Sequence, residues 1–191
     1  MNICIYGSAS NDIDRVYIEK TEELATILAK RGHSLVFGGG ANGLMGAAAR
    51  GFFSQNATIT GVVPKFFNVD GILFENCNEM IRTDTMRQRK QIMDDMADAF
   101  ITTPGGIGTY EEFFEILTLK QLCRHNKPIA LYNFFGYYNE LNATMLSAME
   151  KEFIKHNCKE LYFISDDLQE IIDYLETPIV NRRSVKELKE G

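Results

Sequence analysis

The sequence predicts an α/β fold built on one doubly wound, mainly parallel sheet. Short apolar, β-rich runs alternate with longer segments of helical period, the pattern of parallel strands joined by crossover helices. Three of the strand-to-helix loops, Gly7-Ser8-Ala9-Ser10, Gly38–Gly46 and Pro104–Thr109, are rich in glycine or small polar residues. At 191 residues, 45% hydrophobic and 24% charged, the chain can bury one sizeable core and is short for two, so a single domain is expected.

Taken in order, Asn2–Tyr6 reads as the first strand. Asp14 to Arg31 reads as a helix with Val16, Leu24, Ile27 and Leu28 among charged positions and Gly32 as its stop. Ser34–Phe37 is a strand broken by Gly38-Gly39-Gly40, and Gly43–Phe53 an alanine-rich helix. Thr58–Val63 and Met80–Arg82 are strands, followed by a helix from Thr85 to Ala97. Ala99–Thr102 ends in Pro104-Gly105-Gly106, and Thr109 to Cys123 is helical. Pro128–Tyr132, a helix over Tyr138–Ile154, Leu161–Ile164 and a helix over Leu168–Leu175 complete the pattern. Asn181 to Gly191 is a charged tail, read as an exposed arm or a frayed helix.

The formal net charge of -6 gives no general attraction for nucleic acid or an anionic membrane, so neither is expected as a partner, and a bound anion must meet a local basic site. No basic leader precedes an apolar run and no stretch is long enough to span a bilayer, so a cytoplasmic protein is expected. Cys4, Cys77, Cys123 and Cys158 lie far apart and read as packed thiols rather than a metal or disulfide framework. His33, His125 and His156 form no metal motif, and Ser8 sits in no nucleophile elbow. Neither a metal nor a cofactor is expected.

In a doubly wound sheet ligands collect beyond the carboxyl ends of the strands, where helix N-termini offer free N–H groups. Gly38-Gly39-Gly40-Ala41-Asn42-Gly43 satisfies G-x-G-x-x-G, the dinucleotide fingerprint. It follows the second strand, however, and Thr58–Lys65 supplies no acidic residue for a ribose, so contact with another nucleotide fits better, and a tight turn without ligand is the next alternative. Pro104-Gly105-Gly106-Ile107-Gly108-Thr109 lets the backbone approach an anion but lacks the Gly-Lys-Ser/Thr ending of a P-loop. Thr109-Tyr110-Glu111-Glu112 fits a capping box, which would account for Glu112 structurally, while the helix dipole and solvent account for Glu111 and Glu115. Met86-Arg87-Gln88-Arg89-Lys90 opens a helix with three cations at its positive end, and something must compensate. Arg89 shares a stripe with Ile92, Met93 and Met96, so its base faces the core or a cleft. Its partner there is a phosphate or a carboxylate such as that of Glu112.

Met86-Arg87-Gln88-Arg89-Lys90 resembles the M-x-x-R-K element of the Lonely guy (LOG) phosphoribohydrolase family, and Pro104–Glu112 its P-G-G-x-G-T-x-x-E signature. The Gly38-Gly39-Gly40 loop with Gly43-Leu44-Met45-Gly46 resembles the family's first glycine-rich turn. The resemblance extends from Asn2 to about Leu175, within a domain drawn as residues 1–178 with a polar tail over 179–191. It implies a Rossmann-like homodimer that splits nucleoside 5′-monophosphates, including AMP and cytokinin nucleotides, into free base and ribose 5-phosphate. It further implies that Arg89 and Glu112 are the catalytic pair. Substrate and phosphate would be held by Ser8, Gly39, Gly40, Met86, Lys90, Gly105, Gly106, Ile107, Gly108, Thr109, Tyr110, Glu111 and Thr118. An older view of such proteins as lysine decarboxylases has no cofactor-binding lysine motif to support it here. Phe66 to Asn78 departs from the family pattern and is expected to line the base pocket. Two rivals remain: a non-catalytic nucleotide or molybdenum-cofactor carrier on the same scaffold, and an NAD-dependent oxidoreductase.

Overall fold

The structure is a computed structural model that describes residues 1–67 and 71–178. Among them, seven strands form one parallel sheet in the order β4-β3-β2-β1-β5-β6-β7. The strands are β1 (Asn2–Tyr6), β2 (Ser34–Phe37), β3 (Ile59–Pro64), β4 (Glu79–Thr83), β5 (Ala99–Thr102), β6 (Ile129–Tyr132) and β7 (Phe163–Ser165). The helices are α1 (Arg15–Lys30), α2 (Gly43–Phe53), α3 (Met86–Met96), α4 (Ile107–Gln121), α5 (Asn139–Glu150) and α6 (Leu168–Glu176). The expected Rossmann-like doubly wound sheet is therefore present.

Strand side chains alternate between two faces. Ile3 and Ile5 of β1 pack with Leu24 and Leu28 of α1, Leu44 and Phe52 of α2, and Ile172 of α6. Cys4 and Tyr6 point the other way, onto Met93 of α3, Phe113 and Ile116 of α4, and Met145 of α5. From β1 the chain winds out through β2 and β3 to β4. It then returns through α3 on the opposite face to β5, so the winding reverses between β1 and β5 and opens a crevice at their carboxyl ends.

Most boundaries shift by a residue or two from the sequence reading, and three of the shifts have a visible local cause. Helix α4 starts at Ile107 with Gly106 as its N-cap, two residues ahead of the expected Thr109. The capping-box reading of Thr109 and Glu112 is thereby overturned: Thr109 lies inside the first turn, buried against Gly105, and Glu112 bonds elsewhere. Helix α5 stops at Glu150 rather than Ile154, because Glu152 adopts a left-handed φ of 63° that no helix continues through. The last strand begins at Phe163 rather than Leu161, since residues 156–161 wind into a 3-10 turn that tucks Cys158 and Leu161 into the core. The expected tail, residues 179–191, lies outside the described residues.

Candidate active site

Helix α3 brings the first charged residue to the crevice. Thr85 caps it in a capping box with Gln88, which fixes the first turn and hence the direction of Arg89 one turn on. As its stripe predicted, Arg89 is buried. Its Nε donates to the Val62 carbonyl at 3.0 Å and its Nη1 to Oε1 of Glu112 at 2.9 Å. The ion pair is nearly closed to solvent, with the two side chains 9% and 13% exposed. A Cβ on Gly38 would overlap Nη2 of Arg89, so the first glycine of the triplet is the space through which the guanidinium passes.

Burial pushes the Glu112 carboxyl above the usual carboxylate range, and the Arg89 charge and hydrogen bond pull only part of the way back. Arg89 therefore offsets part of the desolvation that burial imposes on Glu112. Lys90 binds Glu111, and Glu115 at 2.6 Å, which supplies the compensation that the basic start of α3 requires and gives those two acids a partner besides solvent. Behind the pair, the Tyr6 hydroxyl donates to Oδ1 of Asp94 at 3.0 Å.

The two glycine loops differ in what their helices can offer. At the start of α2 the N–H groups are occupied: Gly43 donates to Oδ1 of Asn11 at 2.9 Å, and Leu44 and Met45 to the Ser8 carbonyl at 2.8 and 3.3 Å. Gly39 accepts from the Phe74 N–H, and Gly40 bridges Leu73, so this loop is sewn to the segment leading into β4. Gly39, at φ 77°, has Val63 where a side chain would stand. Both glycines are buried packing positions beneath the crevice, and Ser8 is its seam, donating to the Pro104 carbonyl at 3.0 Å.

At α4, by contrast, Gly106, Ile107 and Gly108 are exposed, no side chain caps the helix, and among the described residues their N–H groups carry no hydrogen bond. Three donors and the positive end of a helix of 15 residues thus face open space, one turn from Glu112. Gly105 lies buried beneath them because Thr109 fills the place of a side chain. Tyr110 is half-buried against Tyr138, with ring centroids 6.0 Å apart, and Met86 stands exposed at the start of α3. The structure does not bring Thr118 to this group. It is exposed on the outer face of α4 between Phe114 and Leu122, about 9 Å along the axis from Glu112.

A family model described as possible lysine decarboxylase matches residues 45–175. A rice protein named probable cytokinin riboside 5′-monophosphate phosphoribohydrolase LOGL3 is 36% identical over 91% of this chain and 82% of its own length. The Arabidopsis cytokinin riboside 5′-monophosphate phosphoribohydrolase LOG1 is 35% identical over 98% and 88%. This chain belongs to the LOG family.

Solved structures share the fold of this LOG-family chain. The molybdenum cofactor carrier protein of Chlamydomonas reinhardtii has a TM-score of 0.70 at 21% identity, covering 100% of this chain and 98% of that one. The molybdenum cofactor binding protein of Rippkaea orientalis has 0.69 at 19%, covering 90% and 93%. At these identities the likeness concerns architecture alone.

Sequence reasoning missed Gly38, Asp94 and the tyrosine pair Tyr137 and Tyr138. Gly38 was read as part of the G-x-G-x-x-G turn, with no link to Arg89. The tyrosines follow a strand at its carboxyl end, which is the position that should have drawn attention to them.

Proposed function

We propose that this chain is a nucleoside 5′-monophosphate phosphoribohydrolase, which cleaves the base–ribose bond of AMP or of cytokinin riboside monophosphates and releases free base and ribose 5-phosphate. The observation that carries this reading is a desolvated Arg89–Glu112 pair one turn from an uncapped helix N-terminus. The names of the plant relatives describe the same chemistry.

The phosphate sits on the free N–H groups of Gly106, Ile107 and Gly108, where the dipole of α4 favours negative charge. Phosphate binding then places the ribose beside Glu112. As the bond from C1′ to the base nitrogen breaks, its electron pair leaves with the base and positive charge builds on the ribose. Oε1 of Glu112 is held by Arg89, so Oε2 is the oxygen that faces this charge and accepts a proton from the water adding to C1′. The departing base takes up a proton from solvent and leaves neutral, and Glu112 returns to solvent the proton it took from the water. Lys90 screens the acids Glu111 and Glu115 from the incoming phosphate. A non-catalytic carrier would keep the glycine loops and need no catalytic acid.

Initial rates of base release from AMP, from isopentenyladenosine monophosphate and from the two nucleosides test the reading. It predicts kcat/KM at least about 100-fold higher for the monophosphates, the value of two to three charge-assisted hydrogen bonds realised in the transition state. Equal rates on the nucleosides would remove the phosphate seat from the account, and binding without base release from any of the four would favour the carrier.

A further inference from the structure

Three successive carbonyls lead into α4, and each accepts a hydrogen bond from outside the loop. Thr103 O accepts the Tyr138 hydroxyl at 2.7 Å, Pro104 O the Ser8 N–H at 3.0 Å, and Gly105 O the Tyr137 hydroxyl at 2.7 Å. In a trans peptide the C=O of one residue and the N–H of the next point in opposite directions, and no cis bond occurs among the described residues. Holding the Gly105 carbonyl back therefore aims the Gly106 N–H forward into the crevice. Neither residue flanking this bond has a side chain to restrain the peptide plane, so without the tyrosine it can rotate.

The tyrosines are delivered by a built turn. Phe135 and Gly136 adopt consecutive left-handed conformations, at φ 58° and 69°, and the Asn133 side chain accepts from the Tyr138 N–H at 2.6 Å while donating to Asn139 at 2.9 Å. This carries the chain from Phe134, packed on the α1 side of the sheet, to Tyr138, buried on the α4 side. Tyr137 is left at the top, 37% exposed, with its ring edge-on to Tyr138 at 5.1 Å. Burial of its hydroxyl pushes the pKa up, so it remains a proton donor at neutral pH.

We infer that Tyr137 is a positioning residue for the anion seat: its hydroxyl fixes the Gly105–Gly106 peptide so that the Gly106 N–H meets an incoming phosphate. This rests on α4 being that seat. Tyr138, fully buried, makes the equivalent bond one step deeper and serves stability; Tyr137, at the surface, serves binding.

The test is Tyr137→Phe, which removes one hydroxyl and leaves the ring. Wild type and variant, labelled with 15N, are titrated with inorganic phosphate and with ribose 5-phosphate while the Gly106 and Ile107 amide shifts are followed, and thermal unfolding is recorded alongside. The expected result is roughly tenfold weaker phosphate binding with a diminished Gly106 response, the loss of one well-aimed charge-assisted bond, and an unfolding midpoint close to wild type. In turnover, KM for AMP should rise by a similar factor with kcat little changed. Equal phosphate affinity in the two proteins would overturn the inference, whatever the hydrolysis assay shows. A wild type whose Gly106 amide ignores phosphate would overturn both the inference and the seat. Phosphate binding by a protein that releases no base would leave Tyr137 in its role and count against the hydrolase alone.

Discussion

Arg89 occupies a position that neither packing nor solvation alone explains. It sits on the apolar stripe of α3 and is buried, with Nε bonded to a strand carbonyl, Nη1 to a carboxylate, and Nη2 lying in the space left by Gly38. A guanidinium in such surroundings is costly unless paired, and its removal would leave Glu112 buried and alone. The stripe made the burial of Arg89 legible in the sequence, and of the two partners weighed there, phosphate and carboxylate, the carboxylate of Glu112 is the one it bonds. What the sequence could not disclose was Gly38, because the contact joins the end of β2 to α3, with two further strands between them along the chain. Gly38→Ala should displace the guanidinium by about 1 Å and reduce kcat by roughly 100-fold, since its backbone is free of left-handed strain and the clash falls on the arginine. Comparison of kcat with the unfolding midpoint checks this; a variant that keeps wild-type kcat would mean that the arginine position does not matter.

Among the elements, α2 and α4 leave the same edge of the sheet after glycine-rich loops, yet only α4 presents free donors. The difference lies in Asn11 and Ser8, which occupy the α2 terminus, and in Gly106, a cap with no side chain. Composition ranks the two loops alike, which is why a dinucleotide fingerprint was readable at Gly38–Gly43 although its glycines serve packing. For the same reason the start of α4 was misplaced: a glycine cap leaves no signal, and Thr109 with Glu112 imitated a capping box. Helix α3, by contrast, begins where its cap residue Thr85 announced it. This helix also carries a pH dependence. Burial pushes the Asp94 carboxyl up from 3.8 to about 6, against the hydrogen bond from Tyr6 and with the Glu115 charge adding to it. A native pKa above the unfolded one means that the folded chain binds the extra proton. The resulting stability is fully present below 3.8 and is lost as pH rises through about 6. Asp94→Asn keeps an acceptor for Tyr6 and carries no charge, so relative to wild type it should gain roughly 2–4 °C in unfolding midpoint between pH 4 and pH 7.5, allowing for partial solvent screening. An offset that stays constant across that range would show that Asp94 does not titrate as described.

For the whole molecule, the alternation of strands and helices was enough to predict the sheet, its parallel sense and the carboxyl edge as the place for a ligand. The periodicities are local and the hand of the crossovers leaves few alternatives. Local patterns do not say that the chain reverses between β1 and β5, and that reversal brings Ser8, Gly38, Arg89 and Glu112 together from four separate segments. It was the motifs at Met86–Lys90 and Pro104–Glu112, known through family resemblance, that marked those segments as one site. No helix of the described residues is long and apolar enough to cross a membrane. The fold accounts for a crevice, a helix N-terminus with free donors and a desolvated carboxylate; the central claim is that these cooperate to break an N-glycosidic bond. It is tested most directly by quantifying every product formed from AMP by wild type and by Glu112→Gln. The account predicts adenine and ribose 5-phosphate in equal amounts from wild type, and a rate lower by about 1,000-fold in the variant. Adenosine with inorganic phosphate among the wild-type products, or undiminished adenine release by Glu112→Gln, would contradict it.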